Sequence, residues 1–148
     1  MIRAATHDDV AAIVANGKTF FEAAGWGDVA EYNEVDCARS IAHLIDNDAG
    51  VVIVYEVDGE IVGMAGGIIA PLYFNLSHLS GQELFWWIRE GSRGAGLALL
   101  DGLEAAARKK GCKTWSMIAL DRIAPERTGR LYQRRGYRAS EHSYIKVL

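Results

Sequence analysis

The spacing of apolar positions changes several times along the chain, and each change predicts an element. Ile2-Arg3-Ala4 reads as a short strand. Thr6 then offers a helix N-cap with Asp9 three residues on, in capping-box position. Val10, Ile13, Val14 and Gly17 recur at helical spacing, and Phe20 and Phe21 carry the apolar side toward Gly25. A second helix starts near Asn33 or Asp36, with Cys37, Ile41, Leu44 and Ile45 as its buried stripe. The turn formers Asp46-Asn47-Asp48-Ala49-Gly50 end it.

The pattern then turns β-branched and aromatic. Val51–Val57 and Glu60–Ala65 flank Asp58-Gly59, the strongest short hairpin signal a sequence offers. Pro71 to Gly81 reads as a polar and aromatic loop. Glu83-Leu84-Phe85-Trp86-Trp87-Ile88 reads as a strand buried on both faces, because polar alternation stops after Glu83. Arg89 to Gly96 is a charged, glycine-rich turn. Leu97 to Lys110 is a helix with Leu99, Leu103 and Ala106 on one face, cations in its last turn and Gly111 as its stop. Lys113–Leu120 is a further strand, Pro125 opens a helix that Gly136 closes, and Tyr137–Val147 is a final, partly alternating strand. The predicted order is β-α-α-β-β-β-α-β-α-β, a single mixed α/β domain over residues 1–148 without repeats or linkers.

Composition narrows the classes. With 148 residues, 50% of them hydrophobic and 24% charged, the chain has material for one sizeable core. A net charge of −3 argues against a global nucleic-acid-binding surface. No apolar run approaches the roughly 18 residues of a membrane span, and the first residues lack the apolar stretch of a signal peptide, so a cytoplasmic location is expected. Cys37 and Cys112 lie far apart, and the four histidines show no metal-ligand spacing, so no metal is predicted.

Gly91-Ser92-Arg93-Gly94-Ala95-Gly96-Leu97-Ala98 joins a buried strand to a helix. Consecutive amides at a helix N-terminus form an anion site, glycines let a phosphate approach the backbone, and Arg93 adds a forked cation. The alternative is a tight turn that needs positive φ. A P-loop is excluded because Leu97-Ala98 stands where Lys-Ser/Thr is required. A dinucleotide fingerprint is excluded because Leu99 occupies the third glycine position.

Arg93-x-x-Gly96-x-Ala98 matches Q/R-x-x-G-x-G/A, and so resembles the pyrophosphate-binding signature of the GNAT superfamily of acyl-CoA-dependent N-acetyltransferases. Leu131-Tyr132-Gln133-Arg134-Arg135-Gly136-Tyr137 resembles the superfamily's second signature, L-Y-x-x-x-G-F/Y. The resemblance is specific from Glu83 to Tyr137, and element order extends it to the whole chain. It departs at Pro125, where members often carry Asn seven residues before the Tyr.

The resemblance implies a mixed sheet splayed between its fourth and fifth strands, with helices on both faces. It implies acetyl-CoA as cosubstrate, its pantetheine arm on the strand edge at Trp86 and Ile88 and its diphosphate on Arg93, Gly94, Ala95, Gly96, Leu97 and Ala98. It further implies Tyr132 as general acid toward the departing thiolate and an amine acceptor attacking directly in a ternary complex. Glu83 is the first candidate for general base. By alternation it shares a face with Phe85 and Trp87, an apolar setting that raises a carboxyl pKa. Glu141, His142 and His78 are reserves. In such proteins the first two helices and the Pro71–Gly81 loop shape the acceptor site, which makes Tyr73, Phe74, Asn75 and His78 candidate lining residues. The same fold without catalysis would be an acyl-CoA-binding sensor or assembly module. A homodimer is common in the superfamily, and no sequence feature decides it.

Overall fold

The computed structural model describes residues 1–148. Strand β1 (Ile2–Ala4) lies antiparallel to β2 (Gly50–Val57). There the Arg3 guanidinium grips the Asp9 carboxylate with bonds of 2.6 and 2.9 Å and reaches Glu56 at 2.7 Å. Buried Asp9 also accepts the Thr6 N–H at 2.8 Å, forming the predicted capping box at the short 3-10 turn His7–Asp9. Helix α1 (Val10–Ala24) follows and stops at Gly25, whose φ of +73° suits a residue without Cβ. Asn33 caps α2 (Glu34–Asp46) by accepting the Asp36 N–H at 3.0 Å.

Asp58 and Gly59 both take positive φ, 50° and 81°, as a tight hairpin between β2 and β3 (Glu60–Leu72) demands. Strand β4 (Asn75–Ile88) returns antiparallel to β3. The predicted loop over Pro71–Gly81 is therefore a correction: both strands run through it, and only Tyr73 and Phe74 form the tip. This end of the hairpin carries exposed apolar side chains, among them Tyr73, Phe74 and Leu76, so no alternation between a buried and a polar face marks its strands. Pro71 fits because the register shifts beside it, where a missing N–H is tolerated.

Helix α3 (Ala95–Lys109) crosses to β5 (Thr114–Ser116), which runs parallel to β4, and α4 (Pro125–Arg134) follows. The sheet order is β1-β2-β3-β4-β5. Val51 and Ile53 of β2 pack with Leu99 and Leu103 of α3 on one face, while Val52 and Val54 join Ile13 of α1 and Ile41 of α2 on the other. Burial on both faces explains the unbroken β-branched run. No helix is long and apolar enough to cross a membrane.

One strand prediction shortens and another is overturned. Lys113–Leu120 forms only the three residues of β5, because β4 and β5 part beyond Gln82. Tyr137–Val147 forms no strand, and Tyr144, Ile145 and Val147 are exposed. A three-residue edge offers few ladder bonds against the entropy of ordering a further strand.

Candidate active site

The last backbone pair between β4 and β5 is Gln82 with Ser116. One residue further on, the Glu83 side chain takes the place of a ladder bond: its carboxylate accepts the Ile118 N–H at 2.9 Å. The strands fork at this carboxylate. Arg89 N–H donates to Val62 carbonyl at 2.8 Å, so by antiparallel alternation Trp86 and Ile88 turn their main-chain groups away from β3, into the fork. Ile88 and Trp86 side chains pack on the α3 face, and Phe85 and Trp87 on the α1/α2 face.

Glu83 does not share the face of Phe85 and Trp87. The register of β3 and β4 shifts between Gly66 and Gly67, which pair with Phe85 and Glu83, so Leu84 is an extra, bulged residue. Neighbours Gly66 and Gly67 point to opposite faces, and paired residues share one, so Glu83 changes sides and joins Trp86. The glycine pair inside a strand pattern was the signal available for this bulge.

Glu83 is only 4% exposed, and burial pushes its carboxyl up to about 7, against a smaller opposing effect of the Ile118 N–H. Tyr132 on α4, 6% exposed, donates to the Ile118 carbonyl at 3.0 Å. Its ring lies 5.9 Å from Trp86 and 5.6 Å from Tyr137, whose hydroxyl donates to Glu104 of α3 at 2.8 Å. Burial, and then the charge of Glu83, raise the Tyr132 hydroxyl well above its ordinary pKa, so it keeps its proton at neutral pH. The Trp86 indole N–H is buried without a protein acceptor.

Beyond Ile88 the chain turns through Gly91 and Gly94, at φ +85° and +80°, into α3. The Ala95 N–H bonds Ser92 carbonyl at 3.4 Å and that of Ala98 bonds Gly94 carbonyl at 3.2 Å, whereas the amides of Gly94, Gly96 and Leu97 have no protein acceptor. The exposed Arg93 guanidinium makes no ion pair. Gly94 leaves open space outside the backbone, but Gly96 does not: a Cβ there would lie 2.7 Å from Ile88 Cδ1 and 3.3 Å from Trp86 Cζ2. Its glycine serves the close approach of α3 to β4.

The fork thus gathers Glu83, Trp86 and Tyr132, with the Arg93–Leu97 turn at the end of the same strand. The reserves are not brought to it. His78 bonds the Thr114 hydroxyl at 3.0 Å where β4 and β5 are still zipped, and Glu141 and His142 lie exposed in the terminal segment. Tyr73 and Phe74 sit at the far end of β4. Sequence reasoning missed Ile118, which acts through its main-chain N–H and carbonyl and leaves no side-chain signal. It also missed an ion pair between Asp28 and Arg122 that ties the α1–α2 connection to the segment after β5.

Residues 18–137 match the acetyltransferase (GNAT) family. Among solved structures, a predicted acetyltransferase with acetyl-CoA from Clostridium acetobutylicum superposes with a TM-score of 0.75 at 19% identity, over 100% of this chain and 95% of that one. A ribosomal-protein-alanine N-acetyltransferase from Brucella melitensis biovar Abortus gives 0.72 at 19%, covering 100% and 99%. An aminoglycoside acetyltransferase from an uncultured soil metagenomic sample gives 0.75 at 18%, covering 100% and 97%. No curated protein matches the sequence.

Proposed function

The chain belongs to the GNAT acetyltransferase family, and we propose that it transfers an acetyl group from acetyl-CoA to a primary amine, by direct attack in a ternary complex. The observation that carries this reading is the fork itself: β4 and β5 separate at a buried carboxylate that accepts the Ile118 N–H, and a buried tyrosine donates to the Ile118 carbonyl. The residues present fit the cosubstrate. The unpartnered amides of Gly94, Gly96 and Leu97, with the free Arg93 guanidinium, make a diphosphate seat where helix dipole and cation act together. Trp86 and Ile88 offer main-chain donors and acceptors along the parted edge to an amide-bearing arm. Acetyl-CoA, when bound, supplies an activated acetyl thioester and a thiol leaving group.

The chain's own groups manage the protons. An alkylamine near pKa 10 arrives as ammonium. Glu83, balanced near neutrality by burial, is partly carboxylate at pH 7 and takes up that proton. Tyr132, held protonated, gives its proton to the departing thiolate; the second proton that the nitrogen sheds on becoming an amide restores the phenol, and the first passes from Glu83 to solvent. Main-chain N–H groups at the fork stabilise negative charge on the carbonyl oxygen. The bulge matters here because it puts Glu83 on the face of Tyr132 and not behind the sheet.

Two measurements test the reading together: thiol release from acetyl-CoA across a panel of primary amines, and calorimetric titration of CoA into the wild type and Arg93→Ala. Turnover with at least one amine, and CoA affinity reduced about 10-fold or more by loss of charge-assisted contacts, are expected. CoA binding without turnover would instead make the chain an acyl-CoA sensor, and no binding would remove both readings.

A further inference from the structure

We propose that the amine acceptor carries an apolar group between phenyl and indole in size, seated in a cavity between α1, α2 and β4; the inference rests on the transferase reading above. The cavity measures about 210 Å³ and is walled by Ile13, Phe20, Phe21, Trp26, Leu84 and Phe85, among others. Apolar cavities of roughly 150 Å³ already hold a benzene ring, so a single aromatic group fits this volume.

The wall has no spare polarity. Its tyrosine, Tyr32, donates its hydroxyl to the Val14 carbonyl at 2.7 Å and lies 3.1 Å from Cys37 Sγ, so that hydrogen-bonding capacity is spent inside the protein. Gly17 permits this, since a Cβ there would stand 2.7 Å from the same hydroxyl. No carboxylate lines the cavity, so a polycationic acceptor would bring charges that meet no counter-charge.

Position ties the cavity to the chemistry. Leu84, the bulged residue, and Phe85 belong to the cavity, while their neighbour Glu83 stands at the fork. The body of such an amine lies on the α1/α2 face, across the sheet from Tyr132, and its nitrogen reaches Glu83 through the opening between β4 and β5. The cavity opens outward, with Trp26 42% and Leu84 47% exposed at its rim. The Asp28–Arg122 pair links that rim to the segment beyond β5, bounding cavity and fork together.

The test compares ethylamine, 2-phenylethylamine, tryptamine and spermidine as acceptors for the wild type with acetyl-CoA, following thiol release. Discrimination by an apolar pocket predicts kcat/KM for 2-phenylethylamine or tryptamine at least about 10-fold above that for ethylamine and spermidine. Trp26→Ala should raise KM for 2-phenylethylamine about 5-fold or more, and so narrow the preference for it over ethylamine. A readout without turnover is calorimetric binding of 2-phenylethylamine to the CoA-loaded wild type, expected to weaken in Trp26→Ala. Equal or better use of ethylamine or spermidine overturns this inference and leaves the transferase reading standing. CoA binding with no amine acetylated overturns the transferase reading, and this inference with it.

Discussion

Glu83 and Tyr132 hold opposite ends of one residue's main chain: the carboxylate accepts the Ile118 N–H at 2.9 Å and the phenol donates to the Ile118 carbonyl at 3.0 Å. β5 has ended by then, and these two side chains replace the backbone ladder that would have closed the sheet. The opening between β4 and β5 is thus propped by the same groups to which we assign proton transfer. Any change to either residue acts on geometry and chemistry together, and a useful experiment separates the two.

For Glu83 the separation is by pH. Its carboxyl is raised from an ordinary 4.5 to about 7 by burial, so the folded state favours the protonated form. The stability this contributes is complete below pH 4.5 and disappears as pH rises through about 7, a change on the order of 3 kcal/mol. Urea midpoints should fall for the wild type between about pH 5 and about pH 8 and stay nearly level for Glu83→Gln. Activity runs the other way, rising as the carboxylate forms through pH 7. Glu83→Gln should lose that limb and about 10²–10⁴-fold in kcat/KM. A variant that keeps the wild-type pH–rate limb would remove Glu83 as base.

Tyr132→Phe keeps the ring that meets Trp86 and Tyr137 and removes one hydrogen bond, to the Ile118 carbonyl. The stability cost should be about 1 kcal/mol, read from denaturant midpoints. CoA affinity should stay within about 2-fold, while turnover falls about 10²-fold or more. Unchanged turnover would show that the leaving thiolate takes its proton from water.

Particular residues show how far the sequence could be read. Asp58-Gly59, the Thr6–Asp9 box, Asn33 and Gly111 are local signals, and the structure uses each where it stands. Trp86 and Trp87 point to opposite faces, as strand alternation requires. Elements that rest on pairing were less legible. The β3–β4 hairpin beyond Pro71 owes its strands to main-chain bonds with each other, and its apolar residues Tyr73, Phe74 and Leu76 are exposed, so no buried face marks it. β5 is short because Glu83 interrupts the ladder, a fact visible only across two strands. Glu83 stands where β4 and β5 part, on the face opposite to the one simple alternation gives, because one bulged residue shifts the phase of everything beyond it.

At the opposite edge of the sheet, Asp9 joins β1 to the start of α1. It is buried, and the Arg3 guanidinium beside it holds its carboxyl below the ordinary value of 3.8. This contribution is present above pH 3.8 and is lost as pH falls through the lower folded value, opposite in sign to that of Glu83. Asp9→Asn leaves Arg3, itself partly exposed, with Glu56 alone and should cost about 1.5–2 kcal/mol at neutral pH through lost charge-assisted hydrogen bonds. Thermal unfolding at neutral and acid pH checks both points, since the gap between wild type and variant should narrow in acid.

Gly94 and Gly96 distinguish a turn requirement from a packing requirement within one loop. At Gly94 φ is +80° and nothing stands within 4 Å of an added Cβ, so Gly94→Ala carries backbone strain alone, about 1–2 kcal/mol. At Gly96 the conformation is helical, and an added Cβ meets the flexible end of Ile88 at 2.7 Å. Helix propensity, worth about 1 kcal/mol, offsets part of that collision. Gly96→Ala should therefore change the denaturant midpoint less than Gly94→Ala does. It should nevertheless weaken CoA binding more, because relieving the contact lifts the first turn of α3, with the amides of Gly96 and Leu97, away from β4. Calorimetric titration of CoA into both variants decides it: equal affinities would mean that those amides do not seat the diphosphate.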